Sequence, residues 1–433
     1  MRIVALILAL LLSAAVHAGV FRAGYADRDI TPTEPMPMWG YGARHALLTT
    51  EALDPLFAQA VVLEAGTERL ALVALDLGRS PTARNQDRIR EAVAASAGIT
   101  QILLCGTHTH HGPVLELLDR PGLGQGRFDA AVRYAGWLNT QIADAINEAA
   151  SRLEPVRWGW ESVDSDLNRN RHTMVGPRPR DPELAVVRLD HLDGTPLAVL
   201  VNFAAHPTIH KVMDRRWSAD WPGAMKRHVR EALGAPCIFL QGAAGDMGPN
   251  RDRPGRETAE GFGQAAAETV LPVARRIQTT VPEHPSLRGS TRDFAFPSRV
   301  DFSDPFTLAL FKQAFFPEML AMLDDVRNNT LTPRITTVLL NGELALAGGS
   351  GEFFCEHGLR LKAHSPAKKT LFLGYCNGHH MYIPTRQAIA LGGYGAAPAF
   401  AWLAEGAGET MIDGALEMLR ELTAATAEQP PAR

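Results

Sequence analysis

The sequence predicts an α/β fold of layered mixed sheets with flanking helices. Two observations predict it. Apolar segments with the length of strands alternate along the chain with segments of helical periodicity. Several of these apolar segments also stop at small residues and are followed at once by histidine or a carboxylate, which is typical of strands that carry functional groups at their ends.

The predicted elements cover most of the chain. Strands are predicted at 56–64, 69–77, 102–105, 197–205, 237–241, 287–296, 335–340, 344–347 and 370–375. Helices are predicted at 83–97, 129–153, 257–277, 304–328 and 398–424, together with one that ends near residue 233. Glycine- and proline-containing turns separate them, so each apolar face must be buried against another element of the same domain.

Composition and charge exclude some classes of function. The chain has 433 residues, of which 46% are hydrophobic and 21% charged, as in globular proteins. Its 43 basic and 47 acidic residues give a net charge of -4. Because phosphate-backbone binding requires an excess of basic residues, we expect no nucleic-acid partner.

The first 18 residues have the pattern of a secretory signal peptide. An arginine precedes an apolar run at 3–12, and small residues lead to Ala18. An uncleaved anchor is the alternative, but this run is shorter than the about 20 apolar residues that cross a bilayer. We predict a signal peptide at 1–18, export to the periplasm or the medium, one domain at 19–426 and a tail at 427–433.

Four cysteines in a chain of this length do not form a disulfide framework. Cys105 and Cys237 lie in apolar runs, where we expect them to pack as small hydrophobic side chains. Cys355 and Cys376 lie in the last third of the chain beside candidate functional loops. Either one bridge between them or two free thiols is compatible with the sequence.

Three histidines follow the predicted strand at 102–105. Gly106 ends the apolar run, and His108, His110 and His111 come directly afterwards. In an extended backbone, His108 and His110 point to the same side. Since imidazole is the commonest protein ligand for metals, zinc included, the spacing predicts a metal site. The alternative is a polar loop whose histidines form ordinary hydrogen bonds.

Polar residues also end other predicted strands. His206 ends one, and the proline after it disfavours a helical pair with His210, so His206 is the better metal candidate. Asp76 ends another, where it either supports a ligand or caps the next helix. The small-residue segment at 242–250 lets the backbone approach a ligand or forms a structural turn. Glu352 lies in a glycine loop that opens a helix.

Taken together, these motifs resemble those of the neutral/alkaline non-lysosomal ceramidases. The resemblance extends over most of the chain after residue 19 and rests on the order of the motifs. The matching segments are Asp29-Ile30-Thr31, Thr107-His108-Thr109-His110, Asn168-Arg169, Asn202-Phe203-Ala204-Ala205-His206, Gly245-Asp246 with Pro249-Asn250, Gly351-Glu352-Phe353, Gly374-Tyr375-Cys376-Asn377-Gly378 with Ile383-Pro384-Thr385, and Gly393-Tyr394.

The resemblance implies a zinc-dependent amidohydrolase acting on an N-acylated, lipid-like substrate, and peripheral membrane contact would suit such a substrate. The implied Zn²⁺ ligands are His108, His206, Glu352 and Tyr394. His110 and Tyr394 would stabilise the oxyanion or move protons, and the arginine that contacts the substrate would be Arg169. Water activated on zinc would then attack the amide carbonyl.

Two departures from the ceramidase pattern change the expectation. Gly248 stands where ceramidases have serine in Gly-Asp-x-Ser-Pro-Asn, which excludes that serine as a nucleophile and leaves the zinc route. Ceramidases also add a C-terminal β-sandwich domain, which we predict to be absent because the chain ends soon after Tyr394. Two alternatives therefore stay open: a zinc-dependent esterase or amidase on a non-ceramide substrate, and a metal-containing binding protein without turnover.

Overall fold

Two mixed sheets pack face to face, and helices cover the outer face of each. The computed structural model describes residues 19–44, 47–115, 118–121, 124–172, 176, 178–314, 326 and 328–427. The predicted α/β class is confirmed. The predicted signal peptide, residues 428–433 of the tail, and residues 315–325 and 327 of the predicted helix at 304–328 lie outside the described residues. The division into signal peptide, domain and tail stays a prediction.

The strands account for both sheets and several short pairs. In chain order they are β1 (Phe21–Asp29), β2 (Met36–Pro37), β3 (Leu48–Thr49), β4 (Phe57–Ala65), β5 (Glu68–Leu75), β6 (Gln101–Gly106), β7 (Leu118–Pro121), β8 (Gly124–Gln125), β9 (Glu154–Asp164), β10 (Asn168–Asn170), β11 (Glu183–His191), β12 (Pro196–Phe203), β13 (Cys237–Gln241), β14 (Met247–Pro249), β15 (Leu287–Asp293), β16 (Phe296–Pro297), β17 (Thr330–Leu331), β18 (Arg334–Leu340), β19 (Leu344–Gly349), β20 (Glu352–Phe353), β21 (Lys369–Leu373) and β22 (Tyr382–Ile383).

The helices lie mainly on the outside of the sheets. In chain order they are α1 (Ala83–Ala97), α2 (Asp129–Ser151), α3 (Asp220–Leu233), α4 (Ala259–Arg276), α5 (Pro305–Ala314), α6 (Cys355–His364), α7 (Arg386–Leu391) and α8 (Ala407–Ala427). In the part of the chain that the structure describes, no helix is both long and apolar enough to cross a membrane.

The larger sheet has the strand order β13-β12-β11-β9-β1-β4-β5-β6, and the smaller sheet has the order β15-β18-β19-β21. Neighbouring strands are antiparallel except in three pairs: β5–β6, β12–β13 and β19–β21. Because parallel neighbours need a crossover connection, each of these pairs is joined through a helix, α1, α3 and α6 respectively. The carboxyl ends of these strands lead into the loops that form the candidate site.

The main apolar core fills the space between the sheets. Leu72 and Leu103 of the larger sheet belong to the same buried cluster as Leu346 and Leu371 of the smaller one. Helices α1 and α2 cover one half of the outer face of the larger sheet, and α3 and α4 cover the other half. Helix α8 packs on the outer face of the smaller sheet. The result is a four-layer arrangement of helices, sheet, sheet and helices.

The start of the last helix was predicted wrongly. Helix α8 begins at Ala407 rather than near Pro398. Gly406 has a φ of +83°, which lies outside the helical region, and the buried Trp402 donates from its indole nitrogen to the Ala399 carbonyl at 3.1 Å. The segment before α8 is therefore a set of turns that holds Trp402 in the core.

A buried ion pair joins α3 to the larger sheet. Lys226 Nζ lies 2.7 Å from both carboxylate oxygens of Asp76 and 3.0 Å from Gln59 Oε1. Asp76 also accepts from the Phe57 amide at 3.0 Å, and its side chain is 1% exposed. These bonds engage both carboxylate oxygens of Asp76. The side chain therefore binds Lys226 rather than supporting a ligand or capping the next helix, the two roles considered from the sequence. The N-cap of α1 is Thr82.

We expect Lys226→Met to lower the free energy of unfolding by about 3–5 kcal/mol, because it leaves the Asp76 charge buried without its cation. Urea-induced unfolding measures the loss. The double variant Lys226→Met with Asp76→Leu should recover most of it, since an apolar pair of similar volume replaces the ion pair. A loss below about 1 kcal/mol in the single variant, as for surface pairs, would contradict the expectation.

Candidate metal centre

Three buried side chains converge where the parallel strand pairs end. His108 follows β6, His206 follows β12, and Glu352 lies in β20, directly after β19. None of the three is more than 3% exposed. The carboxyl ends of parallel strands are where α/β proteins commonly bind ligands, so the topology itself places these groups together.

The three ligand atoms form a triangle of the size that one zinc ion needs. His108 Nε2 and His206 Nε2 are 3.0 Å apart, and each lies 3.4 Å from Glu352 Oε2. Ligands bound tetrahedrally to zinc at about 2.0–2.1 Å lie about 3.3 Å from one another. Two imidazoles and one carboxylate are also a common donor set for catalytic zinc, which keeps a fourth position for water or substrate.

Backbone carbonyls set the orientation of both imidazoles. His108 Nδ1 lies 2.6 Å from the Gly78 carbonyl oxygen, and His206 Nδ1 lies 3.1 Å from that of Met247. A carbonyl oxygen only accepts, so each Nδ1 carries the proton and donates. Each Nε2 therefore presents its lone pair to the shared centre, as metal-binding histidines do.

The extended backbone assumed for the histidine segment is wrong at His108. His108 has a φ of +68°, a left-handed conformation that is strained for a residue with a side chain. Its amide donates to the Leu77 carbonyl at 2.9 Å, which helps to hold this conformation. His108 Nε2 and His110 Nε2 still lie 3.3 Å apart. A turn after β6, rather than strand alternation, brings the two rings together.

His110 is close enough to be a further ligand. The ligand atoms of His108, His110 and His206 all lie within 4.8 Å of one another. In contrast to the other two, His110 Nδ1 has no hydrogen-bond partner among the described residues. Its ring packs against Trp39, and Gly40, at a φ of +103°, leaves the space for it, because a Cβ there would lie 2.6 Å from the ring. The missing carbonyl partner favours a role in proton transfer over ligation.

The electrostatics keep His206, His110 and Glu352 in their metal-binding forms at neutral pH. Burial, with the nearby charge of Arg171, lowers the pKa of His206 to about 3, and burial also lowers the pKa of His110 well below its usual value. Burial alone would raise the pKa of Glu352, but the adjacent imidazoles of His108 and His206 hold it well below its usual range. Neutral imidazoles and a carboxylate are the forms that bind metals.

The two candidate arginines lie in different places. Arg169, the predicted substrate contact, is half-exposed, and its Nη1 lies 2.9 Å from both carboxylate oxygens of Asp252. Arg171 instead reaches the centre, where its Nη2 lies 2.6 Å from His206 Nε2 and 3.1 Å from the Tyr382 hydroxyl. The dipeptide Asn-Arg occurs twice in succession, at 168–169 and at 170–171. The arginine of the second copy is the one that lies beside His206.

Two tyrosines also differ in their distance from the centre. Tyr394, the predicted fourth ligand, lies at the rim with 60% of its surface exposed and its ring against Phe400 at 4.2 Å. Tyr375, to which no role was assigned, is fully buried, stacks on His108 at 3.8 Å and places its hydroxyl 3.5 Å from Glu352 Oε2. In the sequence, the one indication of a role for Tyr375 was that it lies in the segment 374–378, which resembles a ceramidase motif.

A cavity of about 530 Å³ adjoins the centre at His379. His379 Nε2 lies 3.7 Å from Glu352 Oε1, and neither ring nitrogen has a hydrogen-bond partner among the described residues. The volume is within the usual range for small-molecule sites. Charged and polar side chains line it, namely Arg79, Thr82, Asp293, Asn328, Thr330, Thr332, Arg334, Asn377, His379 and His380.

Comparison with solved structures shows which proteins share this fold. No protein-family model matches the sequence. The neutral ceramidase from Pseudomonas aeruginosa superposes with a TM-score of 0.74 and 20% identity, over 94% of this chain and 75% of that one. The fold is ceramidase-like. A ceramidase complexed with C2 gives a TM-score of 0.75 and 19% identity, over 96% of this chain and 76% of that one. At these identities the likeness establishes the ceramidase-like fold, and the reaction has to be argued from the site.

The ceramidase-like fold buries further histidines in neutral form, which makes stability depend on pH. Burial lowers the pKa of His111 to about 3 and that of His380 to about 4, against about 6.5 in the unfolded chain. The unfolded state therefore binds more protons, so stability present above pH 6.5 is lost as pH falls towards 4 and 3. We expect each histidine to account for a loss of roughly 3 kcal/mol at pH 4.

Urea-induced unfolding at several pH values between 7 and 4 checks this dependence. His111→Gln should flatten it, because an amide does not titrate, while an exposed histidine such as His284 should have no effect when replaced by glutamine. Equal stability at pH 7 and pH 4.5 would contradict the expectation.

Proposed function

We propose that this protein is an exported zinc-dependent amidohydrolase, a divergent member of the neutral/alkaline ceramidases, that cleaves the amide bond of an N-acylated, lipid-like substrate. The observation that carries the proposal is the triangle of His108 Nε2, His206 Nε2 and Glu352 Oε2 inside a ceramidase-like fold. The order of the sequence motifs supports it independently.

The ligand roles follow from the donor set. His108, His206 and Glu352 would hold the zinc ion, and Tyr394 is the fourth ligand that the motifs imply. Zinc, when bound, lowers the pKa of a water ligand to about 7 and polarises a carbonyl group. The carbonyl partners of the two histidine Nδ1 atoms keep the ligands in the required tautomer, which limits reorganisation when the metal binds.

Two further residues have the chemistry that amide hydrolysis needs. His110 is neutral, lies beside the ligand set and can accept a proton during attack and return it to the leaving amine. Arg171 carries a fixed positive charge at the same centre and can stabilise the oxyanion that develops on the carbonyl oxygen. Trp39 packs against the rings of His108 and His110 and so limits the access of bulk water to them.

A second candidate, an amidase or esterase on a polar, non-ceramide substrate, is favoured by two observations. Most of the residues that line the cavity beside His379 have charged or polar side chains. Gly248, at the position of the ceramidase serine, leaves room for Arg171, since a Cβ there would lie 3.2 Å from Arg171 Cδ. In this chain, the aliphatic part of the Arg171 side chain thus lies beside Gly248, where the ceramidase motif has a serine side chain.

A substrate screen separates these candidates. Zinc-loaded protein is incubated with ceramides, simpler N-acyl amines, polar N-acyl compounds and the matched esters, and products are identified by mass spectrometry, with Glu352→Ala as the control. Fatty-acid release from ceramides supports the leading proposal, and release only from polar amides or from esters supports the second. Tight binding without turnover of any substrate would overturn both and indicate a binding protein. An N-terminus at Gly19 in exported protein tests the signal peptide.

We expect Arg171→Ala to lower kcat/KM by about 10- to 150-fold, because a charge-assisted hydrogen bond contributes about 1.5–3 kcal/mol. Arg169→Ala is the matched control and should change kcat/KM by less than a factor of about 5, since its exposed pair with Asp252 contributes at most about 1 kcal/mol. Steady-state kinetics on the substrate found in the screen measures both. An equal or larger loss in Arg169→Ala would assign the substrate contact to Arg169 after all.

A further inference from the structure

Cys105 and Cys376 face each other where the two sheets meet. Cys105 belongs to β6 of the larger sheet, Cys376 follows β21 of the smaller sheet, and the two residues form an isolated antiparallel bridge. The amide after each cysteine donates to the carbonyl before the other, at 3.1 and 2.9 Å. This pattern defines a non-hydrogen-bonded pair, in which facing Cα atoms lie about 4.5 Å apart and side chains approach most closely.

The side chains are also positioned to react with each other. Both cysteines are fully buried, and the bridge between their backbones directs the two side chains towards each other. Gly348 makes room for this arrangement, because a Cβ there would lie 2.6 Å from Cys376 Sγ. A disulfide needs Cα atoms about 4.4–6.8 Å apart, which a facing pair of this kind satisfies.

The pairing considered from the sequence, Cys355 with Cys376, does not match these contacts. Cys355 lies at the start of α6, and its Sγ contacts the Asp246 carboxylate at 3.3 Å and the Pro179 carbonyl at 3.4 Å. All four cysteines are free thiols in the structure.

We propose that Cys105 and Cys376 form a disulfide in the exported protein. The two thiols lose two protons and two electrons as the S–S bond forms, and a thiol–disulfide oxidoreductase or glutathione disulfide takes up the electrons and is reduced to thiols. Because both sulfurs are buried in the folded protein, the bond forms before the core closes. The inference rests on the export included in the proposed function and is independent of the proposed reaction.

The bond would tie together the segments that build the metal centre. Cys105 lies just before the turn that carries His108, and Cys376 follows Tyr375, whose ring stacks on His108. The crosslink joins the larger sheet to the smaller one and restricts the unfolded chain over a long loop. It therefore stabilises the fold at the point where the two sheets contribute to one site.

Peptide mapping without reduction tests the pairing. Protein made with its signal peptide in an oxidising periplasm is denatured, alkylated and digested, and the map should contain a linked Cys105–Cys376 peptide, lighter than the two free peptides by two hydrogen atoms. Cys237 and Cys355 should be alkylated. Alkylation of Cys105 and Cys376 in the exported protein would overturn the proposal. If the chain is not exported, refolding in a glutathione redox buffer tests the same pair with the same two outcomes.

Thermal unfolding gives a second readout that needs neither zinc nor turnover. Oxidised wild-type protein should have a Tm roughly 5–10 °C above that of the reduced protein, and the double variant Cys105→Ala with Cys376→Ala should show no such difference. Cys237→Ala, a buried cysteine outside the pair, should keep the difference. A linked peptide in a protein without hydrolase activity would contradict only the hydrolase proposal. An equal Tm of the oxidised and reduced wild-type protein would overturn the disulfide proposal.

Discussion

His206→Ala protein is expected to be purified without stoichiometric zinc and with almost no hydrolytic activity. Catalytic zinc sites generally use three protein ligands, and this change removes one corner of the triangle that His206 forms with His108 and Glu352. Loss of a mere hydrogen-bond partner of a ligand already costs about 10- to 100-fold in metal affinity, so loss of the ligand itself should cost more than about 100-fold. Activity should fall at least in proportion.

His210→Ala is the matched control for this variant. His210 is on the same loop, but its Nε2 lies 3.2 Å from the Ser218 hydroxyl and its ring packs against His111 at 5.2 Å. It should keep zinc at the wild-type ratio. Elemental analysis and competition with a chromogenic chelator measure the zinc, and circular dichroism verifies that both variants fold. Wild-type zinc content in His206→Ala would disprove the ligand assignment, and so would zinc loss in His210→Ala alone.

The secondary structure was predictable wherever local signals agree. Helix α1 was predicted at its observed bounds, because its apolar period ends at Gly98, which adopts the left-handed conformation that closes helices. The start of α8 failed because the segment before it is rich in alanine and begins with a proline, both compatible with a helix start. The start of α8 depends on the burial of Trp402 in a set of turns, which is a tertiary effect.

The candidate site was predictable to the extent that its residues follow apolar strands. His108, His206 and Glu352 each carry that signal, and the structure brings them together. The sequence did not indicate which of Arg169 and Arg171 lies beside the histidines, because this depends on how β10 pairs with β14 and on the space left by Gly248. Sequence periodicity contains no information on such pairing between short, distant strands.

The contact between Cys105 and Cys376 could not be predicted from the sequence for a related reason. Each lies in an apolar stretch that predicts burial and nothing more. Their approach depends on the packing of two separate sheets, and no local pattern specifies which strand ends will meet across that interface. The same interface places Tyr375 on His108, and the sequence showed only that Tyr375 lies in a segment that resembles a ceramidase motif.

His110→Ala is expected to keep its zinc and to lose about 10²- to 10⁴-fold in kcat, the usual contribution of a positioned acid or base. The experiment separates metal binding from catalysis, because His110 lies within ligand distance of His108, yet no carbonyl among the described residues orients its Nδ1. Metal content and kcat are therefore measured on the same preparation, with His206→Ala as the variant that should lose both.

Added imidazole should restore part of the activity of His110→Ala, since the truncated side chain leaves a space against Trp39 and Tyr41 that a free imidazole can enter. Such rescue distinguishes a proton-transfer group from a residue that only packs. Parallel loss of zinc and activity, reversed by added zinc rather than by imidazole, would instead make His110 a ligand, with Glu352 or the rim residue Tyr394 left for acid–base work. We expect rescue by imidazole because no described residue offers a backbone acceptor to His110 Nδ1.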